Sequence, residues 1–145
     1  MDDFQKLVNE FSLLMPDVMR GFSSLLFDPR LLEDLTSPQF ILLAFLTEQI
    51  ECNASMVGEA MHITSGSVTS LTERLVQRGL IERKNHPDDR RVVMFSLTKA
   101  GQDKFEEVRQ KQLERLFWLF DKMGLEKTQQ LIVLYRELNH YLADR

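Results

Sequence analysis

Apolar residues recur along most of this chain at helical spacing, and an alternating pattern breaks in only once, past its middle. From Asp3 to Met15, the residues Phe4, Leu7, Val8, Phe11, Leu14 and Met15 follow the i, i+3, i+4, i+7 spacing of an amphipathic helix. Pro16 lacks a backbone donor, so the helix is expected to kink or restart before Val18-Met19 and Phe22 to Phe27. Asp28-Pro29 reads as a turn or boundary. Thr36-Ser37-Pro38 supplies a cap and a first-turn proline for a helix through Leu46. A short helix, Met56 to Met61, follows Ala54-Ser55, and His62-Ile63 is a tight connection. Thr64 can cap a helix from Ser65 to Arg78, stopped by Gly79 at the left-handed position beyond its end.

The alternating pattern comes next. Leu80 to Lys84 and Arg91 to Leu97 read as strands, with Val93, Phe95 and Leu97 on one face. The charged, turn-rich run Asn85 to Arg90 between them predicts a hairpin with a protruding polar tip. Thr98 caps a long helix ending near Met123-Gly124, and a last helix spans about Lys127 to Ala143. The expected fold is mainly α with a small β-hairpin (α+β), and its element order is that of a winged helix-turn-helix. The expected division is residues 1–34 and 102–145 as dimerisation helices around a winged helix-turn-helix domain at 35–101.

Composition changes this picture little. The chain has 145 residues, 43% of them hydrophobic and 28% charged, which is ordinary for one globular domain. No apolar run approaches the ~18 residues of a membrane span, and the start at Met1-Asp2-Asp3 lacks a basic leader, so a cytoplasmic address is expected. The single cysteine, Cys52, forms no intrachain disulfide. Charge is more informative in its distribution than in its sum of −4: Ser65 to Lys99 carries seven basic and four acidic residues, leaving that segment at +3 and the remainder at −7. A basic middle between acidic ends fits a one-faced binding site for a polyanion.

On the helix from Ser65 to Arg78, Val68, Leu71, Thr72 and Leu75 share the inward face. The outward face carries Gly66, Ser67, Thr69, Ser70, Glu73, Arg74 and Gln77. Small hydroxyl side chains and a glycine let such a helix sit deep in a major groove, with first-turn amides meeting phosphate. A solvated Ser/Thr face is the plainer alternative. The hairpin tip favours the first reading, because Arg90 and Arg91 extend guanidinium groups suited to a narrow minor groove. Asp89, two residues before Arg91, is expected to orient the Arg91 side chain by a charge-assisted hydrogen bond.

These segments jointly resemble the MarR family (multiple antibiotic resistance regulators) of bacterial transcription factors. The resemblance rests on Leu35-Thr36-x-x-Gln39, Val57-x-x-x-Met61, Val68-Thr69-x-Leu71, Arg78-Gly79-Leu80, Asp89-x-Arg91 and Leu97-Thr98-x-x-Gly101, in order and at matching spacings from Leu35 to Gly101. Ser70 stands where many members carry Arg, and His62 where Gly is common. The resemblance implies a homodimeric regulator of double-stranded DNA, a repressor at a pseudo-palindromic operator. It also implies base-edge and phosphate contacts from Ser65, Ser67, Thr69, Ser70 and Arg74, and minor-groove contacts from Arg90 and Arg91.

A dimer follows from the chain ends too. Phe4, Leu7 and Phe11, then Leu116, Phe117 and Phe120, then Leu131, Leu134, Tyr135, Leu138, Tyr141 and Leu142 form apolar stripes too broad for a small monomer to bury. The alternative is that these stripes close a monomeric core. An enzyme is not expected, since no Walker loop, His-Glu-x-x-His, nucleophile elbow or dinucleotide fingerprint is present. Glu59-x-x-His62, with Glu51 and Cys52 upstream, raises a metal-binding alternative, though no cofactor is expected. A helical protein-interaction module without DNA binding is the other rival. Cys52 is read as a buried thiol, with a redox sensor as its alternative. A small apolar or phenolic ligand between the dimer helices and the reading lobe is a candidate effector, with Met15, Met19, Met56 and Met61 as candidate lining.

Overall fold

A computed structural model describes residues 2–144. Helix α1 runs over Asp3–Leu26 and starts with a capping box, the Asp2 carboxylate accepting from the Gln5 amide while the Gln5 side chain accepts from the Asp2 amide. It passes through Pro16 without restarting. The proline removes the backbone bond to Ser12, which is an exposed residue, so the helix can carry the loss. Asp28-Pro29 does not merely end α1. Asp28 caps and Pro29 begins a one-turn helix, α2 (Pro29–Leu32), because its carboxylate accepts from the Arg30 amide at 2.8 Å while Leu31 and Leu32 bury.

Thr36 and Gln39 form a second capping box and launch α3 (Ser37–Glu48). Strand β1 (Cys52–Asn53) was not foreseen, since two residues carry no periodicity. It pairs antiparallel with β3, Cys52 opposite Phe95. Asn53 then caps α4 (Ala54–Met61), and Thr64 caps α5 (Ser65–Gln77). Strands β2 (Ile81–Asn85) and β3 (Val93–Leu97) pair from Ile81 opposite Leu97 to Asn85 opposite Val93, giving the sheet order β1-β3-β2. Helices α6 (Lys99–Met123) and α7 (Leu125–Ala143) complete the chain.

The core draws on Leu31 through Val108. Leu42, Leu43, Cys52, Val57, Val68, Leu75, Ile81 and Val108 are its most enclosed side chains, and Phe40 stacks on Phe105 with ring centroids 5.4 Å apart. Neither α1 nor α7 contributes a single buried residue.

Candidate nucleic-acid interface

The seat of α5 is built by its approach from α4. His62 ends α4 in the left-handed region, at φ 53°, and the Ile63 amide donates to the Gly58 carbonyl at 3.1 Å. A Cβ on Gly58 would stand 3.3 Å from the Ile63 carbonyl oxygen, so glycine permits this close turn. Val68, Thr72 and Leu75 then face inward and are buried. The buried Thr72 hydroxyl is satisfied by the carbonyls of Val68 (2.9 Å) and Thr69 (3.2 Å).

Every residue expected on the outward face is exposed (Gly66, Ser67, Thr69, Ser70, Glu73, Arg74 and Gln77), and so is Ser65. Their hydroxyls are not equivalent. Thr69 donates back to the Ser65 carbonyl at 3.1 Å, and Ser67 accepts from the Thr64 hydroxyl at 3.0 Å, keeping its own proton to donate outward. Among the described residues, the Ser65 and Ser70 hydroxyls and the Arg74 guanidinium have no hydrogen-bond partner. Gly66 faces open space.

The hairpin tip is braced by its own backbone. His86 donates its amide to the Val92 carbonyl at 2.8 Å and accepts the Asp88 amide on Nδ1 at 3.2 Å. The Asp89 carboxylate takes the backbone amide of Arg91 at 3.0 Å rather than its guanidinium, which corrects the expected side-chain contact. Two residues on, the amide lies within reach of a short carboxylate, and this is the geometry of an Asx turn. Arg90 and Arg91 are both exposed, and neither pairs with a carboxylate among the described residues. Arg83 on β2 shares that condition, whereas neighbouring Lys84 is held by Glu82 at 2.9 Å. That hydrogen bond holds the Glu82 carboxyl below its ordinary range. Arg83 escaped the sequence reading, because an arginine on a strand carries no signal of whether a carboxylate will claim it.

Helix α5 and the hairpin are fastened to one another at their base. The Thr98 hydroxyl donates to the Gly79 carbonyl at 2.6 Å and accepts the Gly101 amide at 3.0 Å, and the Thr98 amide donates to the Leu80 carbonyl. Gly101 sits so close that a Cβ there would lie 1.8 Å from the Leu80 carbonyl oxygen. The Arg78-Gly79-Leu80 and Leu97-Thr98-x-x-Gly101 segments are therefore two halves of one joint.

The remaining candidates separate clearly. Cys52 is fully buried, and burial pushes its thiol up to about 11. Among the described residues no group of three or more His, Cys, Asp or Glu could hold a metal ion. Met15 and Met19 are exposed on α1 while Met56 and Met61 pack against the core, so the four do not line a common pocket. The apolar grooves lie elsewhere, one of about 430 Å³ bordered by Phe22, Phe120, Leu131 and Tyr135, another of about 530 Å³ bordered by Leu113, Leu116, Phe117 and Leu125. The terminal stripes do not close a monomeric core. Phe4 and Phe117 are each 74% exposed, and Leu7, Phe11, Leu134, Tyr135, Leu138, Tyr141 and Leu142 are exposed too. Leu116, Phe120 and Leu131 are half-buried. No helix among the described residues is long and apolar enough to cross a membrane.

The MarR family model matches residues 35–93, which span α3 through the start of β3. A transcriptional repressor of Bacillus subtilis, MdtR, is 35% identical over 102 residues, covering 66% of this chain and 66% of its own. The organic hydroperoxide resistance transcriptional regulator of the same organism is 37% identical over 68 residues, 47% of this chain and 46% of its own. The chain thus spans about half to two thirds of the length of these curated relatives. A mutant MarR from E. coli, solved in complex with operator DNA, superposes with a TM-score of 0.74 over 95% of this chain and 99% of its own, at 22% identity. That likeness concerns the fold.

Proposed function

This chain belongs to the MarR family, whose members are transcription regulators and not enzymes; on that premise we propose that it binds double-stranded DNA sequence-specifically as a homodimer and regulates transcription, as a repressor at a pseudo-palindromic operator. One observation carries the reading. The outward face of α5, with its small hydroxyls, open glycine and free arginine, is fully exposed beside an arginine-tipped hairpin fixed to the same joint.

In this reading residues 35–101 are the reading module. Ser65, Ser67, Thr69 and Ser70 meet base edges and phosphates from the first turns of α5, Gly66 admits the duplex closely, and Arg74 pairs with a backbone phosphate. Arg90 and Arg91 enter the minor groove, held out by the Asp89 turn, and Arg83 adds a further cation on β2 of the same hairpin. Residues 1–34 and 102–145 pair two copies through the exposed stripes of α1, α6 and α7, setting two reading helices about one helical turn (~34–36 Å) apart. A small apolar or phenolic ligand between the dimer helices and the reading lobe would release DNA by favouring another spacing of the two reading helices.

Selection of bound sequences from random duplex DNA by the purified protein tests this directly. The expected product is an inverted repeat with half-sites about one helical turn apart. A pool left unenriched, or enriched for one unpaired half-site, would contradict it.

A further inference from the structure

Helix α6 does more than carry a pairing surface. One of its faces grips the connection from the end of α1 to the start of α3. Arg115 donates to the Leu25 carbonyl at 3.1 Å and to the Asp28 carboxylate at 3.2 Å, and Gln112 donates to the Leu26 carbonyl at 2.8 Å. About one and three turns before Arg115 on the same face, Lys111 and Lys104 both hold the Glu33 carboxylate, Lys104 at 2.6 Å. Lys104 also lies 3.3 Å from the Asp34 carboxylate and 3.7 Å from Glu107, while Lys111 bonds Glu107 at 2.9 Å.

This cluster reaches the reading helix. Arg78, the residue that ends α5, donates to the Asp34 carboxylate and to the Asp34 carbonyl, the latter at 3.0 Å. A continuous chain of charge-assisted bonds therefore runs from Arg78 through Asp34, Lys104 and Glu33 to Lys111.

Two features set it apart from ordinary surface pairs, which contribute little. The Lys104 side chain is only 16% exposed, so its charge is partly removed from water and has carboxylates on three sides. Glu33 also holds a backbone conformation, φ 58° and ψ −106°, that L side chains rarely adopt. Hydrogen bonds from Lys104 and Lys111 hold its carboxyl down to about 2.

We propose that Glu33, Asp34 and Lys104 are positioning residues for half-site spacing, fixing the angle of the reading helix on α6 through Arg78 without touching DNA. This rests on the dimeric DNA-binding reading above. If α6 and α7 hold the two copies together, play between α5 and α6 becomes uncertainty in the distance between the two reading helices. The clasp removes that play. A loosened clasp leaves each half-site contact intact and costs discrimination between spacings.

The test uses the intact dimer with three duplexes: the selected inverted repeat, and versions with one base pair added or removed between half-sites. Wild type is expected to prefer the selected spacing by roughly tenfold or more. Asp34→Asn, and separately Glu33→Gln should the first variant fold poorly, is expected to shrink that preference to about threefold or less. A spin label at Gln77→Cys gives a readout free of DNA, in which the distance distribution between the two labels should broaden in either variant. Wild-type discrimination and an unchanged distribution in folded variants would overturn the clasp while leaving DNA binding intact. Failure of wild type to bind any duplex would instead overturn the DNA-binding reading, and the label distances would still decide the clasp.

Discussion

At the scale of single residues, what the sequence concealed was who partners whom. The outward face of α5 was legible because helical phase alone assigns Gly66, Ser70, Glu73 and Gln77 to the side opposite Val68 and Leu75. Phase cannot say that Thr69 spends its proton on the Ser65 carbonyl, or that Asp89 takes an amide in place of a guanidinium. Cys52 shows the same divide. Its position in sequence left sensor and core filler both open, and its pairing opposite Phe95 in the sheet places it in the core. With the thiol pushed up to about 11 by burial, roughly one molecule in a thousand carries a thiolate at pH 8. Modification by an aromatic disulfide reagent should therefore run at least about 100-fold slower in native protein than in 6 M guanidinium. Equal rates would place the thiol at the surface and reopen a redox role.

Elements were readable where caps and periodicity agreed. Thr36, Thr64 and Thr98 each cap the helix expected of them, and the hairpin strands pair as the alternation requires. The unforeseen elements, α2 and β1, are four and two residues long, too short for any period, and exist because tertiary partners bury Leu31, Leu32 and Cys52. The joint at the base of the hairpin makes a contrast between two glycines. Gly101→Ala forces a Cβ against the Leu80 carbonyl and should cost about 1–3 kcal/mol or more by urea unfolding. Gly66→Ala meets nothing and should stabilise α5 by up to ~1 kcal/mol, yet weaken DNA binding if the duplex approaches that face closely. An undamaged Gly101→Ala protein would refute the joint.

The clasp on α6 carries its own pH signature. The Glu33 carboxyl is lowered from 4.5 to about 2 in the folded chain, so its contribution is present above about 4.5 and lost as pH falls toward 2. Lys104 and Lys111 are raised by the same bonds, so theirs is present below 10.5 and lost only above it. The Tm difference between wild type and Glu33→Gln should accordingly stay level from pH 5 to 8 and shrink below about 4.5. A difference that grows on acidification would contradict the assignment.

At the scale of the whole molecule, one core runs from Leu31 to Val108 and so draws on α2 and the start of α6, while α1 and α7 contribute no buried residue to it. A monomer of this size rarely leaves apolar patches beyond several hundred Å² exposed, yet large apolar side chains stand in water along α1, α6 and α7. Sedimentation equilibrium should return twice the chain mass at micromolar concentration. Phe117→Glu, at a site 74% exposed in the single chain, should weaken association by about 2 kcal/mol or more. A monomeric wild type would refute the pairing. The apolar stripes themselves were legible in the order of residues, and most of their side chains are exposed in the single chain. The operator is not legible there, because base preference depends on contacts of Ser70 and its neighbours with a duplex. The most direct measurement is fluorescence anisotropy of the selected duplex and a scrambled one, with wild type and Arg91→Ala, between 50 and 200 mM salt. Sequence-specific binding by α5 and the hairpin gives a preference of roughly 10³ or more for the selected duplex. It also gives an affinity falling steeply with salt, and a slope shallower by about one to two units in the dimer of Arg91→Ala. Equal affinity for both duplexes, or an Arg91→Ala slope identical to wild type, would contradict it.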